Sequence, residues 1–323
     1  MDLVPAPFHA DLSEGPDHAR AYWVTASDGL RLRVAHFPSD GARGTVLLFP
    51  GRTEYVEKYG RTAADLAAAG YGTLAIDWRG QGLADRMLDE RRTGHVAVFE
   101  DYQRDVQAML ALADTLEVPG PRHLIAHSMG GCIGLRAMMD GLDVASSVFT
   151  GPMWGIRISN PVRPAAWAIS RMSKSLGASH LFVPGTGADS YVASADFEDN
   201  LLTTDPEMFD YMRRQVLAIP DLQLGGPSLN WLHEALAETR RLARRASPTQ
   251  PCLCLTGTNE RIVDLDRIRA RMARWPGGRL EWVERGEHEV LMEAPKTRAR
   301  LMAEITALFD TAGDSRAGAK ARA

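Results

Sequence analysis

Ser128 lies between two runs of opposite character. His123 to Ala126 reads as a buried strand, and from Met129 onward Cys132, Ile133, Leu135, Ala137 and Met138 suit a helix. A serine on the tight turn between them projects its hydroxyl out of a sheet, at the positive end of the following helix, where an oxyanion can be held. Gly130 and Gly131 leave the backbone room to approach the strand. The segment Ala126-His-Ser-Met-Gly130 departs from Gly-x-Ser-x-Gly by one methyl group. The competing reading is a serine that merely caps a buried helix. The residues downstream decide between them.

A serine attacks a carbonyl only if a base takes its proton, so a histidine and a carboxylate should follow. At a serine on such a turn the chain order is serine, acid, histidine, with the acid past a late strand and the histidine past the last. Both places are filled. Pro251 to Gly257 is a short apolar run closed by glycine, and the next residues include Glu260 and Asp264. Arg279 to Arg285 alternates like a strand and leads into Gly286-Glu-His288-Glu. The other histidines fit less well. His9 and His18 lie in a loop-like N-terminus, His36 is in an early strand, His95, His180 and His233 have no preceding strand, and His123 and His127 flank the serine itself. A solvated loop residue is the plain alternative for His288. Acyl transfer also needs two donors aimed at the oxyanion. One is the backbone N–H of Met129. The other should follow an early strand, and Gly44 to Phe49 is that strand, so the N–H of Arg52 is the candidate. Pro50 stiffens the turn and removes one donor.

The set of motifs resembles an α/β-hydrolase of the lysophospholipase and monoacylglycerol-lipase-like group, sometimes filed with serine aminopeptidase-type hydrolases. Four segments carry the likeness in order: Phe49-Pro-Gly-Arg-Thr-Glu-Tyr-Val-Glu-Lys-Tyr59, Asp77-Trp-Arg-Gly-Gln-Gly82, Ala126-His-Ser-Met-Gly-Gly131 and Gly286-Glu-His-Glu289. With the strands between them the likeness covers roughly residues 20–310, and the motifs are specific for fold and catalytic class, much less so for substrate. The resemblance implies the triad Ser128, Glu260 and His288, since the family motif places its aspartate three residues after Gly257. Asp264 then becomes a helix N-terminal residue. Gln81 stands where the family turn has histidine, and its expected part is structural support. Pro50, Ala126 and Glu260 depart from the usual pattern and imply a distinct subgroup.

Strand-like and helix-like runs alternate along the chain, which implies an α/β fold with a mostly parallel central sheet flanked by helices. Tyr22–Thr25 and Leu30–Phe37 read as an opening antiparallel pair, and the repeat continues through Thr45, Gly72–Asp77, His123–His127, Ser146–Thr150, Cys252–Thr256 and Leu280–Glu284. Helices are expected over Val56–Ala69, Val98–Leu116, Met129–Met139, Leu265–Trp275 and Lys296–Phe309. The rhythm breaks between 151 and 245, a helix-rich interval expected to form a lid over a core of residues 1–150 and 246–311. Its aromatic residues Trp154, Trp167, Phe182, Phe209 and Trp231 could equally pack a small core of the lid's own. Residues 312–323 are expected to be a flexible tail.

Composition limits the alternatives. With 323 residues, 45% hydrophobic and 24% charged, the chain can bury a large core as one α/β domain with an insertion. A net charge of −4 argues against a nucleic-acid binder. No apolar stretch approaches the roughly 20 residues a membrane span needs. No signal peptide is visible in Met1 to Ala21, and Cys252 and Cys254 share one face of a strand, so a cytoplasmic protein with core thiols is expected. No metal-ligand cluster stands out, and no cofactor is required.

The expected activity is hydrolysis of single-chain lipid esters such as lysophospholipids or monoacylglycerols, with transient contact to a membrane surface. Met153, Trp154, Ile156, Trp167 and Met172 could line an acyl tunnel, and Glu54, Tyr55 and Lys58 could meet a glycerol or phosphate head. Glu54 and Lys58 could equally be a solvated first helical turn. Two rivals remain: a cofactor-free perhydrolase or haloperoxidase-like enzyme with the same triad, and a catalytically inactive binding protein of the same fold.

Overall fold

The computed structural model describes residues 2–159 and 161–320. Among these residues nine strands form one sheet: β1 Val4–Ala6, β2 Arg20–Thr25, β3 Arg31–Phe37, β4 Gly44–Phe49, β5 Tyr71–Asp77, β6 Arg122–His127, β7 Ser147–Thr150, β8 Cys252–Gly257 and β9 Gly278–Val283. Their spatial order is β1-β2-β3-β5-β4-β6-β7-β8-β9. The run β1-β2-β3-β5 is antiparallel, and every pairing from β5 to β9 is parallel. Strands β4, β5, β7 and β8 are buried along their whole length. Their apolar runs fit a parallel sheet covered on both faces.

Among the described residues the α-helices are α1 Ala10–Ser13, α2 Gly60–Ala68, α3 Asp101–Thr115, α4 Ser128–Met139, α5 Arg163–Ser175, α6 Tyr191–Ser194, α7 Pro206–Ala218, α8 Leu229–Leu242, α9 Leu265–Met272 and α10 Pro295–Lys320. The cysteines Cys132, Cys252 and Cys254 are buried free thiols. Between β7 and β8 run α5 to α8, the interval expected to form an insertion.

Three local differences from the sequence reading have physical causes. The first strand, β1, pairs its few residues with β2 through Val4 and Trp23, which a loop-like composition hides. The helix expected over Val56–Ala69 opens as a 3-10 turn, Val56–Tyr59. There Glu57 and Lys58 are drawn inward, to Arg33 and Glu289, which tightens the first turn. Helix α10 does not stop at Phe309. It continues to Lys320 with Ala312 buried and Arg316 paired to Asp143, contacts that offset the poor helix propensity of Gly313 and Gly318. The expected flexible tail is therefore helical as far as Lys320, and residues 321–323 lie outside the described residues.

Candidate active site

Strand β6 ends at His127, and the chain turns at Ser128 into α4 with φ of 48°. That left-handed conformation is costly for a serine and is held by its surroundings. Gly130 is needed there, since a Cβ would stand 2.1 Å from the Phe49 carbonyl oxygen. The elbow is thus packed against the end of β4, where the Arg52 loop begins.

The acid and the base arrive from the ends of β8 and β9. His288 Nε2 lies 2.9 Å from Ser128 Oγ, and His288 Nδ1 lies 2.6 Å from Glu260 Oε2. The other carboxylate oxygen, Oε1, accepts the backbone N–H groups of Ile262 at 2.6 Å and Val263 at 3.1 Å. Burial would raise the Glu260 pKa. The adjacent His288 and the donated hydrogen bonds outweigh it, and the carboxyl is held below the ordinary range. Asp264 is elsewhere. It caps α9, its Oδ1 accepting the N–H groups of Asp266 and Arg267 at 3.1 and 3.3 Å. Gly151, past the end of β7, has φ of 47°, and a Cβ there would sit 3.0 Å from His288 Nδ1.

The loop after β4 is fixed from several sides. Trp78 Nε1 donates to the Pro50 carbonyl at 2.9 Å, and Gln81 Nε2 donates to the Gly51 carbonyl at 2.7 Å. Glu54 Oε2 accepts the Gly51 N–H and, at 2.5 Å, the Tyr59 hydroxyl. Thr53 turns the chain with φ of 67°. Among the described residues no acceptor takes up the Arg52 N–H.

Beside the triad lies a buried set of four charges. Lys58 Nζ pairs with Glu54 Oε1 and, at 2.6 Å, with Glu289 Oε1. His127 Nε2 faces Glu289 Oε2 at 3.2 Å and Glu54 Oε1 at 3.6 Å. Its Nδ1 is 2.9 Å from both the Thr150 carbonyl oxygen, which can only accept, and the Thr150 hydroxyl, which can donate or accept, so the surroundings favour a proton on each ring nitrogen. Burial alone would lower its pKa. Glu289 and Glu54 outweigh that and raise it. The same balance raises Lys58, and the two cations hold Glu289 well below the ordinary range. The His127 and His288 ring centroids are 4.7 Å apart. Glu54, His127 and Glu289 form a three-ligand grouping of the kind a metal could use, which the sequence reading did not find. The Lys58 ammonium already sits between the two carboxylates, so the cluster carries its own cation.

Ser128 and His288 open onto a cavity of about 380 Å³. Its apolar walls include Met153, Ile156, Tyr191, Met212, Val216 and Leu232, mostly from the segment between β7 and β8. Of the expected acyl-tunnel residues, Met153 and Ile156 line it, whereas three do not. Trp154 is a core side chain, stacked on Trp275 at 6.1 Å with its Nε1 donating to Gly131. Trp167 packs edge-on to His233 at the α5–α8 contact, 5.8 Å between centroids. Met172 is 57% exposed on the outer face of α5. Helical spacing explains the last two: Arg163, Ala166, Trp167, Ser170 and Ser173 form the stripe turned toward α8, and Met172 lies off that stripe and faces outward. Glu54, Tyr55 and Lys58 do line the cavity, but they are buried and already bonded, the Tyr55 hydroxyl reaching Gln215 Oε1 at 2.9 Å. They are not a solvated turn.

Residues 40–295 match the family described as serine aminopeptidase, S33. The chain belongs to this family. S33 hydrolases similar to it include the lysophospholipase L2 of Escherichia coli strain K12, 30% identical over 300 residues, covering 88% of this chain and 86% of that one. The probable lysophospholipase L2 of Haemophilus influenzae is 28% identical over 287 residues, 88% of this chain and 90% of the other. Among solved structures, a soluble variant of the Saccharomyces cerevisiae monoglyceride lipase superposes with a TM-score of 0.69 at 18% identity, over 90% of this chain and 94% of that one. The S33 hydrolase therefore has the α/β-hydrolase fold. Among its described residues no helix is long and apolar enough to cross a membrane.

Sequence reasoning missed Gly151, His127 and Glu289. The spacing of Glu54 and Lys58, four residues apart, was the one local signal of the buried charges. Glu289 and His127 meet only through the fold.

Proposed function

We propose that this S33 hydrolase cleaves carboxylic esters of single-chain lipids through an acyl-enzyme on Ser128. The observation that carries the reading is the unbroken line from Glu260 through His288 to Ser128 at the floor of a largely apolar cavity. His288 Nε2 takes the Ser128 proton as Oγ attacks the ester carbonyl, and Glu260 holds the imidazole in orientation. The tetrahedral oxyanion is met by the N–H groups of Arg52 and Met129. Collapse expels the alcohol, which takes the proton from His288, and water then repeats the sequence on the acyl-enzyme. Relatives named lysophospholipase and monoacylglycerol lipase support a lipid ester as substrate. Ser128→Ala should abolish turnover in a folded protein, with a loss of several orders of magnitude. A fluorophosphonate probe should label wild type at Ser128 and leave the mutant unlabelled. Wild-type turnover in the folded mutant removes the proposal.

We assign residues 151–245 as the lid over a core of 1–150 and 246–311, since that segment supplies most of the apolar wall. Transient contact with an anionic membrane surface fits α5. There Val162, Ala165, Ile169, Met172 and Leu176 recur at helical spacing and are exposed, while the neighbouring stripe of Ala166, Ser170 and Ser173 faces inward. Residues 157–187 carry Arg157, Arg163, Arg171 and Lys174 and no acid. An apolar stripe beside cations suits a lipid headgroup boundary. Cosedimentation with vesicles containing phosphatidylglycerol, against pure phosphatidylcholine, tests this, and equal binding to neither overturns it. The free buried thiols support a cytoplasmic location, checked by fractionation.

A further inference from the structure

Arg52 offers more than its backbone N–H. Its side chain presents a different chemistry. Arg52 lines the catalytic cavity, its Nη1 donating to the Gly225 carbonyl at 2.7 Å and its guanidinium carbon 5.7 Å from the ring centroid of Trp231, another lining residue. Among the described residues it has no carboxylate partner. Desolvation without a counter-ion lowers its pKa to about 10, so it remains a cation at neutral pH.

The rest of the cavity wall cannot supply the missing anion. The carboxylates of Glu54 and Glu289 are already engaged by Lys58 and His127, and neither is paired with Arg52. Arg52 is left as one uncompensated positive charge facing the space in which the ester reacts. Its Nε and Nη2 make no hydrogen bond within the described residues, yet neither is sealed off without a partner. A half-buried guanidinium with free donors opening onto a cavity is suited to a two-oxygen anion, which it can grip through parallel hydrogen bonds.

The geometry points to Arg52 as a phosphate subsite: its guanidinium receives the phosphodiester of a lysophospholipid while the acyl ester lies at Ser128. This rests on the ester-hydrolase reading above and adds the head group. The phosphodiester of such a lipid is one glycerol away from its ester, and a monoacylglycerol lacks it. An uncharged substrate therefore leaves the cation unmatched, whereas a lysophospholipid neutralises it. The Trp231 face and the Gly225 carbonyl hold the guanidinium plane and limit the orientation a head group can adopt.

The test compares octanoyl lysophosphatidylglycerol with octanoyl monoacylglycerol, both as monomers, on wild type, Arg52→Met and Arg52→Lys. Each substrate ratio is read within one variant, so a general loss from disturbing the loop cancels. The phospholipid-to-monoacylglycerol ratio of kcat/KM should fall about tenfold or more in Arg52→Met, chiefly through KM, and recover in part in Arg52→Lys. A ratio unchanged in Arg52→Met overturns the subsite. So does loss of inhibition by octanoate at an unchanged ratio, which would assign the cation to the product carboxylate. Should Arg52→Met fail to fold, wild type decides: glycerophosphoglycerol should inhibit at about a tenth of the concentration needed for glycerol, and equal inhibition overturns the proposal. Wild type inactive on both lipids would instead remove the ester-hydrolase reading.

Discussion

Gly151 shows how narrowly the catalytic groups are placed. It carries no functional atom, yet its α-carbon hydrogen points at the bond between acid and base, and a Cβ would meet Glu260 Oε2 at 3.2 Å. Gly151→Ala should lower kcat by about tenfold or more with a smaller change in KM, measured on a p-nitrophenyl ester, because small misplacements of a base are costly. Glu260→Gln and Asp264→Asn should separate cleanly. The first removes turnover, and the second leaves both the rate and the melting temperature near normal, because the Asn side-chain oxygen can still cap α9. Reversed outcomes would exchange their roles. His127 makes a pH-dependent prediction. It finds Glu289 and Glu54 only on folding, so its folded pKa lies above its unfolded value. The stability it contributes is full below the ordinary value of 6.5 and is lost as pH rises through the raised one. The groups that face it are Glu54, Lys58, Glu289 and His288. The melting-temperature gap between wild type and His127→Gln should therefore narrow from about pH 6 to about pH 9. At this scale Ser128 and His288 were legible from local pattern and chain order. Glu260 needed family likeness to prefer it over Asp264, and the buried charges were hidden because Glu54 and Glu289 meet only across the sheet.

At the scale of elements, the strands were the most legible part, because β4 to β8 are short apolar runs punctuated by glycine and proline. The helices of the segment between β7 and β8 were the least. Their apolar positions are divided between a core, a cavity and solvent, and hydropathy alone does not say which. In α5 the division is inverted, serines facing inward and Ile169, Met172 and Leu176 outward. Met172→Ser with Leu176→Ser should change folding stability by no more than about 0.5 kcal/mol, since both side chains are exposed. The same pair should weaken vesicle binding several-fold and leave hydrolysis of soluble esters intact. A large stability loss would mean that the stripe is covered within the protein itself.

The whole molecule places Ser128 at the base of a cavity of about 380 Å³, within the size range of ligand pockets. Each methylene buried there should contribute about 0.8 kcal/mol, so kcat/KM on p-nitrophenyl esters should climb several-fold per carbon and then level off once the cavity is filled. A flat series from acetyl to decanoyl would instead describe a small-ester hydrolase. One topological fact reaches further. Ser128 and His288 are separated by 160 residues and stand on strands divided by β7 and β8. Closing so long a loop is slow relative to local structure. During refolding, or as the chain leaves the ribosome, most of the sheet can be in place while the enzyme is still silent. Esterase activity should then recover after the far-ultraviolet signal of the helices and strands, which makes it a reporter of the last docking step, that of β9 and its histidine loop.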